Sequence, residues 1–143
     1  MKLPCLSMWN PWASLVVDRY KPIENRDWII EREGVFLVHA AKLKDFGEYC
    51  RARKMYLGLG LPLDNFPSYD MAEYGGIVGA TEVTGVIEPK DVDEGWHMAD
   101  KYGHLLSPKT CRLPFRPLKG LQKFWFVELA GEEEATLRDA GFL

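Results

Sequence analysis

The chain has 143 residues, 47% hydrophobic and 27% charged, the size of a single domain (residues 1–143) with enough apolar side chains for its own core. Its 18 basic and 21 acidic side chains leave a net charge of -3, which excludes a disordered polyampholyte and a coat that grips nucleic acid by bulk charge. No run of 18 uncharged apolar residues occurs and the start, MKLPCLSMWNPW, lacks the layout of a signal peptide, so a cytoplasmic chain with no membrane partner is expected.

In chain order, residues 3–8 read as a short strand. Asn10-Pro11 then supplies an N-cap followed by proline at the first helical position, and Trp12, Leu15, Val16, Arg19 and Tyr20 recur at helical spacing over residues 11–20. Pro22 stops that helix. The runs IENRDWII (23–30) and VFLVHAA (35–41) are rich in β-formers and separated by EREG, which predicts two antiparallel strands joined at Gly34. Residues 44–57 form an amphipathic helix in which Phe46, Tyr49, Cys50, Arg53 and Leu57 share a face. Residues 61–76 are dense in turn formers, with at most a helical turn at 68–73.

The run from Gly76 to Glu88 predicts the longest strand, with Gly79 and Gly85 where a sheet can bend. HLL (104–106), TCRLPF (110–115) and KFWFVEL (123–129) supply further strands. Residues 131–142 close the chain as a helix with Glu132, Glu133 and Glu134 in its first turn, where the helix dipole favours them. The expected architecture is α+β with a small β-barrel core.

Three cysteines, Cys5, Cys50 and Cys111, lie far apart without a C-x-x-C spacing, so reduced, mostly buried thiols are expected and no zinc site. His97 and His104 lack a third ligand at metal spacing, and no cofactor-binding loop is present. Charge is unevenly placed. Residues 64–100 carry nine acids and one base, whereas residues 101–123 carry six bases and no acid. That basic run reads either as a solvated face or as an anion-binding rim containing Arg112, Arg116 and Lys119.

The densest polar cluster is Lys21-Pro22-Ile23-Glu24-Asn25-Arg26, with Trp12 upstream and Trp28 just after it. In an extended segment Glu24 and Arg26 share one face, so an acid and a base can meet the incoming Lys21 at one spot. An ordinary surface ion pair is the competing reading. His39, inside an apolar run, reads as a hydrogen-bonded core histidine. If the two strands pair through Gly34, Lys42 falls near Lys21 and Glu24.

Five ordered motifs carry a resemblance to a known family: Leu6-Ser7-Met8-Trp9-Asn10-Pro11-Trp12-Ala13-Ser14-Leu15; Lys21-x-x-Glu24-Asn25-Arg26-x-Trp28; Gly34 with Leu37-Val38-His39-Ala40-Ala41; Gly76-Ile77-Val78-Gly79; and Pro117-Leu118-Lys119-Gly120. Together they resemble an ASCH domain over almost the whole chain. The resemblance implies a PUA-like β-barrel with flanking helices. It also implies action on, or binding of, RNA or modified nucleotides in a cleft between the first helix and the barrel.

Some small ASCH proteins resemble amidohydrolases of acylated cytidine that use a lysine, a threonine nucleophile three residues on, and a glutamate. Lys21 matches the lysine, the threonine position is Glu24, and Glu94 is a candidate for the glutamate. A carboxylate cannot replace an activated hydroxyl in the same acyl transfer. The leading expectation is therefore a pocket for one unstacked base, formed by Trp12, Lys21, Glu24 and Arg26, with Lys42 and the basic run from Arg112 to Lys123, Arg116 and Lys119 among it, guiding phosphates. A hydrolase of RNA or modified nucleosides, with Lys21 and Glu24 as an acid/base pair, is the second reading. A protein–protein adaptor using the aromatic stretch from Asn65 to Tyr74, or the surroundings of Trp96, is the third.

Overall fold

The computed structural model describes all 143 residues. Its elements are β1 (Lys2–Met8), α1 (Trp12–Val17), β2 (Ile23–Arg26), β3 (Val35–Ala40), α2 (Phe46–Gly58), β4 (Gly76–Ile87), β5 (Tyr102–Leu106), β6 (Cys111–Pro117), β7 (Phe124–Glu128) and α3 (Gly131–Asp139). The strands form one sheet in the order β2-β5-β4-β3-β1-β7, with β6 also paired to β4. Only β1 and β3 run parallel; all other pairs are antiparallel. The sheet curls like a barrel but its hydrogen bonding does not close, which leaves β2 and β7 at its ends. The α+β expectation holds.

Alternation along β1 explains how the sheet serves two cores. Leu6 and Met8 pack with Phe36, Val38, Val78 and α1, whereas Leu3 and Cys5 pack on the opposite side with Leu37, Ile77, Leu113 and Leu137 of α3. Each such side chain contributes about 1.5–3 kcal/mol by leaving water. Burial pushes the Cys5 thiol up to about 12, so it stays a neutral apolar filler. Cys111 is half-buried, and Cys50, on the outer face of α2, is exposed against the expectation of a buried thiol.

α1 is buried on every side because it is apolar all round, with the sheet on one flank and α2 on the other. It is shorter than the spacing predicts. Pro11 occupies the N-cap position, and Asn10 Oδ1 instead accepts from the Ser14 amide at 3.0 Å. The helix ends at Val17, and Arg19 turns left-handed at φ 69°, where the amides of Tyr20 and Lys21 both donate to the Leu15 carbonyl. That turn aims Lys21 back under the helix.

Two further expectations fail for physical reasons. β2 and β3 do not form a hairpin: β2 pairs with β5, and β3 lies between β1 and β4. Phe36–Ala40 is buried throughout, as an interior strand with both edges bonded requires, whereas polar-alternating β2 suits a sheet end. The α2 face is also different. The helix docks through the i, i+4 stripe Glu48, Ala52, Tyr56, because the small Ala52 lets α1 approach, and Phe46 is 61% exposed. The aromatic side of α2 is covered by its own following loop, where Tyr49 meets Phe66 and Tyr69 and its hydroxyl donates to the Pro67 carbonyl at 2.8 Å. Trp96 is buried against Trp12. The aromatics named for an adaptor surface thus pack inward.

α3 is fastened to β6 by one buried carboxylate. Glu133 accepts from Arg116 Nε at 2.6 Å and Nη2 at 2.9 Å, and also from the Ala130 amide at the helix start. The central strand depends on a missing side chain. At Gly79 a Cβ would lie 2.4 Å from the Cys111 carbonyl oxygen and 2.4 Å from Val17 Cγ1, so β6 and α1 both close onto bare backbone. Gly79→Ala is expected to lower stability by about 3 kcal/mol, the upper range for overpacking, read as an earlier urea midpoint; an unchanged midpoint would show that β4 tolerates a side chain there.

Candidate functional site

The turn that ends α1 delivers Lys21, and β2 follows at once, so Lys21, Glu24 and Arg26 line one cavity of about 290 Å³ together with Trp12 and Asn25. Asn25 fixes the strand by bonding in both directions: its amide donates to the Trp96 carbonyl at 2.9 Å and its oxygen accepts from the Met98 amide at 2.9 Å. Arg26 Nη2 donates to the Ser7 carbonyl at 2.9 Å, tying β2 to the end of β1 across the cleft. Trp12 Nε1 donates to Glu48 Oε2 at 2.9 Å and its ring meets Trp96 edge-on, so the indole is a fixed wall.

The charged groups of this cavity are incompletely satisfied. Lys21 is 2% exposed; its ammonium donates to the Ile23 carbonyl at 2.5 Å and lies 5.3 Å from the centre of the Trp12 ring. Burial holds its pKa below the ordinary lysine range, against the opposing pull of Glu24, with Arg26 adding to the depression. Glu24 is 7% exposed and its nearest cation is Arg26 Nε, 3.7 Å from Oε1, too far for a good hydrogen bond. Glu24 Oε2 and Arg26 Nε are the two buried side-chain atoms of the molecule without any hydrogen-bond partner. Lys21 and Glu24 do not form an ion pair with each other.

A second cavity of about 1210 Å³ adjoins the first and shares Ser7, Trp9 and Arg26 with it. It lies where β1, β3 and β6 end and β4 begins. Lys42 stands there, just past β3, and Lys119 and Lys123 stand on the loop between β6 and β7. His39 is in its floor, its ring nitrogens bonded to Ser7 Oγ at 3.0 Å and the Leu118 carbonyl at 2.7 Å, as a core histidine. Since β3 does not pair with β2, Lys42 is not beside Lys21 and Glu24 but across Arg26 from them.

The structure therefore brings Trp12, Lys21, Glu24 and Arg26 together, and sets Lys42 and Lys119 next door. Arg112 and Arg116 line neither cavity. Arg112 is bidentate to Asp18 at 2.8 and 2.7 Å and also reaches Glu73 at 2.8 Å, while Arg116 is held by Glu133. The hydrogen bond to Asp18 raises the Arg112 pKa further above its ordinary value. Glu94 is exposed and bonded to Lys90, outside both cavities.

One residue that lines both cavities escapes the sequence reading. Trp9, 42% exposed, stands on the partition between the cavities. Its position between the β1 alternation and the α1 stripe, where neither core claims it, is the available signal. Lys123, the end of the basic run expected to guide phosphates, lines the larger cavity with Lys119.

Taken together, an α+β curled sheet with α1 laid against it, and a polar cleft between α1, β2 and the end of β1, define a PUA-like domain. The chain belongs to the ASCH family: the ASCH domain model matches residues 6–134. Its fold is similar to the crystal structure of ASCH from Zymomonas mobilis (TM-score 0.52, 12% identity, covering 95% of this chain and 93% of that one). It is equally similar to a serine-to-alanine mutant of that protein (0.53, 12%, 95% and 94%) and to a tyrosine-to-phenylalanine mutant (0.52, 12%, 95% and 96%). Among curated proteins, no sequence matches this chain significantly. No helix is long and apolar enough to cross a membrane.

Glu24 is also held from behind. His104, fully buried on β5, donates from Nδ1 to the Glu24 carbonyl at 3.0 Å and accepts at Nε2 from the Ile30 amide at 2.9 Å, so only the neutral ring satisfies both. Burial holds its pKa below the ordinary value of 6.5, outweighing the Glu24 carbonyl and carboxylate, which pull it up. The unfolded chain then takes the proton first, and the stability contributed by neutral His104 is complete above about pH 6.5 and is lost as pH falls through the lower folded value. Urea midpoints should fall between pH 7.5 and 5.5 in the wild type and change less in His104→Asn; equal slopes would remove His104 as the source.

Proposed function

We propose that this ASCH domain is an RNA- or nucleotide-binding module that takes one unstacked base into the small cavity between α1 and β2. The observation that carries this reading is the orphan pair: a buried carboxylate oxygen, Glu24 Oε2, and a buried guanidinium nitrogen, Arg26 Nε, side by side and without partners. Buried polar atoms are nearly always bonded, and exceptions cluster where a ligand supplies the bond. A carboxylate accepts from an exocyclic amine, and a guanidinium or ammonium donates to a base carbonyl or a phosphate oxygen. Glu24, Arg26 and the remaining N–H bonds of Lys21 offer that combination.

Trp12 contributes as a wall, since Lys21 already covers one face of its ring. Trp9, exposed at the partition, is the side chain free to stack on a base. Binding is favoured over hydrolysis by the chemistry of the same residues. Position 24 holds no hydroxyl, and the Lys21 amine is engaged with the Ile23 carbonyl rather than with Glu24.

The test is titration of short single-stranded RNAs and of cytidine-type nucleosides with wild type, Glu24→Gln and Glu24→Ala. Glu24→Ala, which removes the acceptor, is expected to weaken binding about 10- to 100-fold, corresponding to about 1–3 kcal/mol, and Glu24→Gln, which keeps one acceptor oxygen but no charge, to weaken it less, while the fold is retained because the carboxylate makes no protein hydrogen bond. Unchanged affinity in both variants would sink the assignment.

A further inference from the structure

The two cavities differ in charge as well as size. The smaller is mixed, with Glu24 and Glu48 among its cations. The larger is lined by Arg26, Lys42, Lys119 and Lys123 and by no carboxylate, in a chain whose net charge is -3. Lys42, Lys119 and Lys123 are exposed and none takes part in an ion pair. Cations gathered around one concavity repel one another and concentrate anions there.

The lysine-bearing loop is also built onto the sheet. The bare backbone of Gly120 lies against His39, where a Cβ would come within 2.6 Å of Cε1, and the Leu118 carbonyl is bonded to the same ring. The charges of Lys119 and Lys123 are thereby held at the cavity rather than on a free loop.

Size separates the roles. About 290 Å³ is at the lower end of small-ligand pockets and suits one base, whereas about 1210 Å³ exceeds what a single small ligand fills. Trp9 and Arg26 border both spaces, so a ligand whose base enters the first continues past them into the second.

We infer that the larger cavity is a second subsite that receives the phosphodiester linkage and flanking nucleotide of the same ligand, so that the substrate class is a single strand of two or more nucleotides and not a free nucleoside. This rests on the base-pocket reading of the smaller cavity. Lysines act as point charges on phosphate without reading sequence, so the second subsite adds affinity and the first selects the base.

The experiment compares cytidine, cytidine triphosphate and an RNA trinucleotide on wild type, the Lys119→Ala/Lys123→Ala double variant and Glu24→Ala, across a salt series. The trinucleotide is expected to bind at least tenfold tighter than the nucleoside, and the double variant to lose that advantage while binding the nucleoside unchanged. Each phosphate contact contributes about 0.7 to the log–log salt slope for a single strand, so the double variant, losing the one linkage held in the cavity, should be shallower by about 0.7. Equal affinity for nucleoside and trinucleotide, or a salt slope unaltered in the double variant, overturns the second subsite. Tighter binding of the triphosphate than of the trinucleotide assigns the cavity to a nucleotide's own phosphates and overturns the strand. Lysine dependence without any effect of Glu24→Ala supports the phosphate subsite and rejects the base pocket, whereas the reverse pattern rejects the subsite and keeps the pocket. Failure of all three probes to bind overturns both.

Discussion

β4 passes through the molecule with three neighbours along its length: its first half pairs with β3 and β6, its second with β5. That is possible because the strand shifts register near Gly79 and again before Gly85, and because nothing projects from Gly79 to hold β6 and α1 away. A strand bent in this way curls the sheet. Curling carries β5, and β2 beyond it, round to face the end of β1, where Arg26 reaches the Ser7 carbonyl. Had β4 been straight, β2 would lie at the far edge of an open sheet, and Lys21, Glu24 and Arg26 would face water with no opposite wall.

The cleft so formed carries an energetic burden that the rest of the fold must offset. An unsatisfied buried polar group costs about 1–3 kcal/mol, and Glu24 Oε2 and Arg26 Nε are such groups, beside a Lys21 amine that is bonded to the Ile23 carbonyl but desolvated. They are held in place by contacts that do not involve their reactive ends: Asn25 clamps the strand to the Trp96–Met98 loop, and His104 holds the Glu24 carbonyl from β5. Contrast Glu133, equally buried, whose two oxygens are fully engaged with Arg116 and a backbone amide. One carboxylate is satisfied as a structural anchor. The other is positioned and left open, which is the arrangement expected of a binding group.

What can be read from the sequence follows from the range of the forces involved. Strand and helix positions depend on near neighbours, so β4, β6, β7 and α3 lie where their alternation and first-turn acids predict. The cluster at Lys21–Arg26 is legible for the same reason, being one short segment. Pairing partners are a long-range property. The apolar run of β3 is visible, but not that it inserts beside β1 in parallel, and a hairpin with β2 in its place sets Lys42 wrongly next to Glu24. The docking face of α2 is hidden because large aromatics outweigh an alanine in any count of hydrophobicity, whereas close helix approach depends on the small residue, Ala52. Arg112 and Arg116 show the same limit, since acids that neutralise them lie 94, 39 and 17 positions away.

That last point alters the meaning of the charge distribution. Six bases in residues 101–123 look like a continuous positive rim, yet Lys101 pairs with Asp27, Arg112 with Asp18 and Glu73, and Arg116 with Glu133, and the Lys109 amine donates to the Gly141 carbonyl. Only Lys119 and Lys123 of the six are left without a partner, and both stand at the larger cavity with Lys42. Folding therefore removes most of the basic run from play and leaves a small residue of positive charge at one place. A long polyanion gains from charge spread over a face. Charge confined to one concavity beside a base-sized pocket favours a ligand that is anionic at one point and has a base to offer at the next.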